Sequence, residues 1–331
     1  MRYYSIHGLL NIATNTDIPI PSYFEVKRPV KKPDMKILQR HLEFRRPKKD
    51  MIMRTNYYFW RDETGLFIDY EMKDMKLVLR DIFGKPEIEC TKNFRKFSTQ
   101  ESWNALVHAI VWLNLIKHRY TIIHAGSLSY LGREGVIIGA PADTGKTSTV
   151  LSLLATKKFG FMSDDAALVG GENVYAYPEK VKVSPHTMTG NLHVKSWKRR
   201  VFKSRILGLA SERLLKMNLT DFYKIPDKLV VDKCPIKKVF VFAGHGWEKQ
   251  VKKIDRKLAA RILFISSAEM STLMHRYLEL YYYMFAVDTY KFFEKVNKIA
   301  EDSFKSAQCY MVQAPKLEEY PQVIMETLER P

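Results

Sequence analysis

Residues 136–149 carry the pattern that most restricts how this chain can fold. A short apolar run at 136–138 leads into the loop GAPADTGKTST, and residues 147–157 then suit a helix. Loops of this kind hold nucleotide phosphates with consecutive backbone N–H groups, the positive end of the next helix, a lysine and a metal-binding hydroxyl. The G-x-x-x-x-G-K-[S/T] spacing is kept, with Ala140 in place of the first glycine. The pattern therefore predicts a strand, a phosphate-binding loop and a helix, an α/β arrangement.

The loop also predicts the contacts of a bound nucleotide. Lys146 is expected to reach the β- and γ-phosphates, and the Thr147 hydroxyl is expected to bind Mg²⁺. The backbone amides of residues 143–148 would surround the phosphates. Asp143 is unexpected in such a loop, because its charge opposes the phosphates unless the side chain faces away or touches the metal or the acceptor. The predicted nucleotide-binding residues are Ala140, Asp143, Thr144, Gly145, Lys146, Thr147 and Ser148.

Two consecutive aspartates follow the next apolar strand. The segment KFGFMSDDAALV places Asp164 and Asp165 directly after a predicted strand at 159–162. One carboxylate could hold Mg²⁺, directly or through water, while its neighbour accepts the proton of an attacking hydroxyl. A turn or helix cap is the structural alternative, because aspartates favour such places. His124 ends an earlier predicted strand and is either a hydrogen-bonded core residue or a partner that tunes one of these aspartates.

The stretch IIHAGSLSYLGREGVIIGAPADTGKTSTVLSLLATKKFGFMSDDAALVGGENVYAYPEKVKV resembles the core of the HPr serine kinase/phosphorylase family, especially its shorter HPr-kinase-like relatives. The resemblance covers residues 121–185. It implies a compact P-loop kinase core related to phosphoenolpyruvate carboxykinase, here with an N-terminal β-rich region. It also implies that Lys146 and Thr147 bind phosphate and Mg²⁺, that one aspartate is the general base and the other the metal partner, and that His124 supports the base. We assign Thr147 and Asp165 to the metal and leave open which of Asp164 and Asp165 is the base.

The chain departs from that family in two places. Ala140 stands where the first loop glycine is usual, and the glycine- and asparagine-containing signature that follows the core in the bifunctional enzymes is absent. That signature is linked to dephosphorylation. Neither phosphorylase activity nor HPr itself as the substrate is therefore predicted.

Outside the loop, the sequence indicates two regions. Residues 1–95 look mainly extended, with a hairpin at 57–60 and 66–70, a strand at 76–82 and a Pro- and Lys-rich loop or arm at 27–49. Residues 96–331 are predicted to form the kinase domain. Within it, Ser98 and Glu101 match a capping box that starts a core helix, a strand is expected at 238–242, and a long helical region at 268–306. Three consecutive tyrosines at 281–283 favour packing over base stacking.

Composition narrows the classes of function. The chain has 54 Lys and Arg against 36 Asp and Glu, a net charge of +18, with basic clusters at 27–49, 195–205 and 249–261. Such a surplus attracts phosphate groups, although a solvated basic face accounts for it equally well. The separated Cys90, Cys234 and Cys309 argue against disulfides and a thiolate zinc site and favour buried, reduced thiols. No apolar run approaches the ~18 residues of a membrane span. We expect a cytoplasmic protein.

Two functions remain open from the sequence. The first is a Mg²⁺-dependent kinase that transfers the γ-phosphoryl of ATP, or of another nucleoside triphosphate, to a hydroxyl of a protein serine or a small metabolite. An acidic or already phosphorylated acceptor would suit the cluster at 195–205. The second is a nucleotide-gated binding module whose basic face holds nucleic acid or a membrane surface. The oligomeric state is open, a homo-oligomer included.

Overall fold

The computed structural model describes residues 1–54, 56–70, 74–98, 100–141, 144–183, 221–245 and 248–329. By its internal contacts the chain divides into two compact units. The first unit contains Met1–Thr121 and Ala268–Val296, and the second contains Ile122–Ser267 and Asn297–Pro331. The fold is mixed α/β, as predicted, with helices in both units. The basic cluster at 195–205 lies outside the described residues.

The first unit is built on one mixed sheet. Its strands are β1 (Arg2–Ile6), β2 (Leu10–Thr14), β3 (Glu25–Val26), β4 (Met35–Gln39), β5 (Met51–Arg54), β6 (Tyr57–Arg61), β7 (Leu66–Tyr70), β8 (Met75–Arg80) and β9 (Glu87–Cys90). Within the described part of the chain their order is β3-β1-β2-β4-β9-β8-β7-β6-β5. The predicted hairpin is confirmed, since β6 and β7 pair antiparallel. The neighbours β2, β4 and β9 run parallel, so their carboxyl ends meet at one edge of the sheet.

The prediction of a loop or arm over residues 27–49 is wrong at its centre. Strand β4 lies there, between two parallel neighbours, and Met35 and Ile37 are completely buried. Lys36, between them, points to the other face and remains exposed. The lysine and proline content hid this alternation, because composition reports on the segment as a whole while burial is decided residue by residue.

Two helices follow the first sheet. Helix α1 (Lys92–Phe97) starts at Thr91, whose side chain accepts the N–H of Phe94 at 3.3 Å. Helix α2 (Gln100–Lys117) is buried along most of its length. The predicted core helix is confirmed, and its first described helical residue is Gln100, two positions after the predicted cap Ser98. Ser98 also ends α1, a short helix that was not predicted because six residues give no readable periodicity.

The second unit contains a second mixed sheet and a separate two-stranded pair. In the sheet are β10 (Thr121–Ile123), β11 (Ala125–Tyr130), β12 (Glu134–Gly139), β13 (Phe159–Ser163), β14 (Ala167–Gly170), β15 (Asn173–Tyr175), β18 (Lys233–His245), β19 (Gln250–Ile254) and β20 (Gln308–Ala314), and the pair is β16 (Val181–Val183) with β17 (Asp221–Tyr223). Among the described residues the sheet order is β10-β14-β15-β18-β12-β11-β13, and β20 pairs with both β18 and β19. The strands that were predicted around the loop and the hairpin of β14 with β15 are confirmed.

Helices cover both faces of this sheet. On one face, Val136 and Ile138 of β12 pack in a core with α3 (Lys146–Ala155) and α6 (Tyr320–Glu329). On the other face, Ile137 packs in a second core that includes the start of α4 (Arg256–Phe285) and the end of α5 (Thr289–Ser303). The alternation along β12 sends neighbouring side chains into different cores. The loop after β12 therefore starts from a strand that is fixed on both faces.

The predicted helical region at 268–306 is two helices and begins earlier. Asp255 opens α4, where its carboxylate accepts the N–H of Lys257 at 2.7 Å. The helix ends at Phe285, and Ala286 has a positive φ of 50°. Tyr281 and Tyr282 are buried while Tyr283 is 72% exposed, so two of the three tyrosines are packing residues, as predicted.

Two expectations from composition can be compared directly with the fold. Cys90, Cys234 and Cys309 are buried and carry no disulfide, as predicted. Burial raises the pKa of the Cys90 thiol to about 12, which keeps it protonated and unreactive at neutral pH. No helix within the described residues is both long enough and apolar enough to cross a bilayer.

Candidate active site

Strand direction brings three separate segments of the second unit to one edge of its sheet. Strand β11 lies between β12 and β13 and is antiparallel to both. The same edge of the sheet therefore contains the end of β12, the end of β13 and the start of β11. The phosphate loop follows the first, the aspartate pair follows the second, and His124 precedes the third. This topology explains how residues 40 positions apart in sequence come to share one site.

Gly145 makes the turn from the loop into helix α3. Its φ is +89°, a left-handed conformation that side chains rarely adopt, and it stands at the N-terminal end of the helix. Its carbonyl accepts the N–H of Thr149 at 2.9 Å, which starts the helical hydrogen bonds. The Thr144 hydroxyl closes the loop by donating to the Pro141 carbonyl at 2.7 Å.

The remaining loop residues occupy different environments. Ala140 is 1% exposed and belongs to the core beneath the loop, where a small side chain fits. Ser148 follows in the first turn of α3 and is partly exposed. Asp143 lies outside the described residues.

A hydrogen-bonded cluster joins the loop to the aspartates. Lys146 donates from Nζ to Oδ1 of Asp165 and, at 3.3 Å, to the backbone carbonyl of Asp164. The Thr147 hydroxyl donates to Oδ2 of Asp164 at 3.0 Å. His124 completes the cluster, with Nε2 at 3.4 Å from Oδ1 of Asp165. The structure thus brings together five of the predicted site residues.

The two aspartates have opposite electrostatic environments. Asp164 is 3% exposed, and its burial, reinforced by the negative charge of Asp165, raises its pKa to about 7 despite the nearby Lys146 and Thr147. For Asp165 burial also acts against ionisation, but the hydrogen bond from His124 and the charge of Lys146 prevail and lower its pKa below the usual range. Environments that separate the pKa values of two neighbouring carboxyl groups are typical of sites with distinct roles for each.

One carboxylate oxygen of this cluster lacks a partner. Oδ1 of Asp164 is completely buried and accepts no hydrogen bond from any described residue. A buried carboxylate oxygen without a hydrogen bond is costly unless a cation or another donor compensates it. The other oxygen of the same carboxylate, Oδ2, contacts the Thr147 hydroxyl, and a hydroxyl at this position of a phosphate-loop pattern is the one that binds Mg²⁺.

The side chains fit a magnesium ion that also binds a nucleotide. Within the described residues, no group of three or more His, Cys, Asp and Glu side chains could hold a metal by itself. Mg²⁺ prefers six oxygen ligands and is usually held by one or two protein oxygens together with substrate phosphates and water. Thr147 and Asp164 supply that number of protein oxygens. The site therefore suits Mg²⁺ that arrives with a nucleotide.

Helix α4 fixes the position of His124. The backbone N–H of His124 donates to the Ser267 hydroxyl at 2.8 Å, and that hydroxyl donates to the Leu263 carbonyl at 2.7 Å. The ring Nδ1 lies 3.3 Å from the Ser266 carbonyl oxygen. Both ring nitrogens of His124 consequently face oxygen atoms, which sets the orientation of the ring toward Asp165.

The sequence analysis missed four residues of this environment. Ser266 and Ser267 lie more than 140 positions from His124, and two serines within an apolar helix give no signal of such a contact. The charge of Glu179 contributes to the raised pKa of Asp164. Leu317 lies against the loop: a Cβ built on Gly145 would come within 2.6 Å of its Cδ2 atom. All four are long-range contacts that local patterns do not contain.

No protein-family model matches the chain, and no curated protein matches it either. The proposal below therefore depends on the geometry of these residues.

Replacing Gly145 by alanine is expected to destabilise the protein and to weaken nucleotide binding. An L-residue at this positive φ costs about 1–2 kcal/mol, and the added Cβ also displaces Leu317. Both effects change the start of helix α3, where the phosphates would bind. Thermal unfolding and nucleotide titration of Gly145→Ala measure the two effects separately.

Gly171 provides the matched control. It also has a positive φ, of +56°, but a Cβ there meets nothing within 4 Å. Gly171→Ala should therefore show only the backbone cost and leave nucleotide affinity unchanged. Equal effects of the two substitutions on nucleotide affinity would contradict the role given to the Gly145 turn.

Proposed function

We propose that this chain is a Mg²⁺-dependent kinase that transfers the γ-phosphoryl group of ATP, or of another nucleoside triphosphate, to a hydroxyl acceptor. The observation that carries the proposal is the buried Asp164 carboxylate: its Oδ2 accepts the hydroxyl of Thr147, at the start of the helix after the loop, and its Oδ1 has no partner among the described residues. A structural turn would not require a desolvated carboxylate at this place. The acceptor is a protein serine or a small metabolite.

The nucleotide would bind over the start of helix α3. The left-handed turn at Gly145 and the first N–H groups of the helix form the anion site, to which Lys146 adds a full positive charge. Lys146 is 6% exposed and held by Asp165, so its ammonium group is already placed and little side-chain entropy remains to be lost. Phosphate oxygens would share this lysine with Asp165.

The geometry favours Asp164, with Thr147, as the pair that holds the metal. Asp164 accepts the Thr147 hydroxyl at Oδ2 and keeps a buried Oδ1 that has no partner among the described residues, whereas Asp165 is engaged by Lys146 and His124. This differs from our assignment of the metal to Asp165 from the sequence. Mg²⁺, when bound, would neutralise charge on the β- and γ-phosphates.

Asp165 is then the group that contacts the hydroxyl of the acceptor and takes its proton. Its side chain is 42% exposed, so a hydroxyl can approach it, and His124 holds its orientation. In the transfer, the bond from the acceptor oxygen to the γ-phosphorus forms, the bond from that phosphorus to the bridging oxygen breaks, the hydroxyl proton passes to Asp165, and a nucleoside diphosphate leaves. A lowered pKa makes Asp165 a weak base that takes the proton late, as the bond to phosphorus forms, which suits a loose transition state.

Transfer of label from γ-labelled ATP with Mg²⁺ tests the proposal. We expect label to enter one of two fractions of a cell extract, protein or small metabolites, and to be lost with Lys146→Ala because the phosphates lose their lysine. The labelled fraction identifies the acceptor class. Tight nucleotide binding without transfer, after other triphosphates have been tried, would contradict the kinase and favour the nucleotide-gated binding module.

A further inference from the structure

The first unit contains a cavity at the carboxyl ends of its parallel strands. Its volume is about 260 Å³, and it is lined by the end of β4, the residues that follow β4 and β9, and Asp74, which precedes β8. Ligands of open α/β sheets bind outside the carboxyl ends of parallel strands, because the chain leaves the sheet there and exposes polar groups. The described residues that line it are Gln39, Arg40, His41, Asp74, Thr91, Lys92 and Asn93.

Hydrogen bonds hold the walls of this cavity in place. Asn15 binds the backbone of Gln39 twice, donating to its carbonyl at 2.9 Å and accepting its N–H at 2.7 Å. The N–H of Arg40 donates to the Cys90 carbonyl at 3.0 Å. The Thr91 hydroxyl donates to the Asp74 carbonyl at 2.8 Å. The backbone of the walls is consequently fixed, so a ligand would order only the side chains that contact it.

The described residues that line the cavity carry a positive surplus, with Arg40 and Lys92 against Asp74, while His41 pairs with Glu43 at 2.9 Å. Arg40 pairs with Glu89, whose side chain is completely buried, and Arg80 lies 3.4 Å from the other carboxylate oxygen of Glu89. Two guanidinium groups thus surround one carboxylate. The Arg40 side chain is 52% exposed and keeps N–H groups free of that pair, and Lys92 beside it is exposed. The only acidic residue in the lining among the described residues, Asp74, is paired with Lys76 at 3.1 Å.

We propose that this cavity binds the phosphate group of a small metabolite. The guanidinium group of Arg40, the ammonium group of Lys92 and the side-chain amide of Gln39 are donors that oxyanions prefer. A phosphate monoester, with its larger negative charge, is attracted more strongly by the positive groups than a carboxylate is. The volume is below the ~300–1,000 Å³ of sites for drug-sized ligands, which restricts the ligand to a small molecule. The site shares no residue with the kinase site, so it is independent of the proposed function.

Calorimetric titration with inorganic phosphate and with glycerol 3-phosphate tests this site. The full-length protein carries Lys146→Ala, so that the phosphate loop does not contribute, and chloride keeps the ionic strength constant. We expect both probes to bind, glycerol 3-phosphate at least as tightly as phosphate, and Lys92→Glu to weaken both by about tenfold because a positive charge beside the anion becomes negative.

Lys96→Glu is the matched control. It makes the same charge change on the same helix, but Lys96 does not line the cavity. Binding that is lost in the Lys146→Ala protein itself, or weakened equally by Lys92→Glu and Lys96→Glu, would overturn the proposal. So would acetate binding as tightly as phosphate, which would indicate a carboxylate site. Arg40 is left unchanged, because its removal would leave the buried Glu89 with less compensation and destabilise the sheet.

Discussion

Asp165→Asn is expected to lower kcat for phosphoryl transfer by about 10³, within the range that loss of a positioned general base produces. The amide cannot take the acceptor proton, and it no longer attracts the ammonium group of Lys146 as a carboxylate does. The phosphates of the nucleotide then no longer compete with a carboxylate for the ammonium group of Lys146. We therefore expect nucleotide affinity to stay the same or to increase while transfer is lost. Single-turnover transfer and equilibrium nucleotide binding, measured on one preparation, separate these effects.

Asp227→Asn is the control for this substitution. Asp227 is exposed in the same unit and contacts Lys224, so the same chemical change should leave kcat unaffected. If Asp165→Asn retained kcat within about tenfold of the unchanged chain, proton transfer to Asp165 would be excluded as a major contribution. A large loss of nucleotide affinity would instead place Asp165 with the phosphates or the metal.

Asp164→Asn is expected to abolish Mg²⁺-dependent transfer and to stabilise the protein when no nucleotide is present. The carboxyl of Asp164 has its pKa raised from 3.8 to about 7 by burial and by Asp165. The folded state therefore binds more protons than the unfolded state between these pH values, and stability falls as pH rises through that interval. A neutral amide removes this cost, so we expect a gain on the order of 2 kcal/mol at pH 8 and almost none at pH 4.

Denaturant unfolding from pH 4 to pH 8 measures this difference. Asp165 contributes with the opposite sign, because its pKa is lowered: its stabilisation is present above its usual pKa and lost as pH falls. We expect the contribution of Asp165 to the free energy of unfolding to be similar in Asp164→Asn and in the unchanged chain, although the two carboxyl groups are coupled. Mg²⁺ with nucleotide should stabilise the unchanged chain more than the variant. A variant that is less stable than the unchanged chain at pH 8 would contradict the assignment of Asp164 as a desolvated metal ligand.

Local patterns were sufficient for the elements around the loop. Strand β12, helix α3, strand β13 and the following hairpin all lie where the sequence places them, because each is a short apolar or helical segment bounded by residues such as glycine and aspartate that favour turns. The predictions were wrong for two elements whose sequence signals were masked or not recognised. Lysines hid the buried strand β4, and α4 begins 12 residues before the predicted region because Asp255 was not recognised as its cap.

By itself, the sequence determined which residues can take part in the site, because the chemistry of a phosphate loop depends on residue types at fixed short spacing. Lys146, Thr147 and the two aspartates were identified in this way. Their separate environments were decided only by the tertiary structure. Asp164 and Asp165 are adjacent and chemically identical. They nevertheless differ in burial, in how strongly the charge of Lys146 affects them and in the direction in which the carboxylate points. Adjacent residues leave a strand end in different directions, so one is desolvated beside Thr147 and the other faces His124 and solvent.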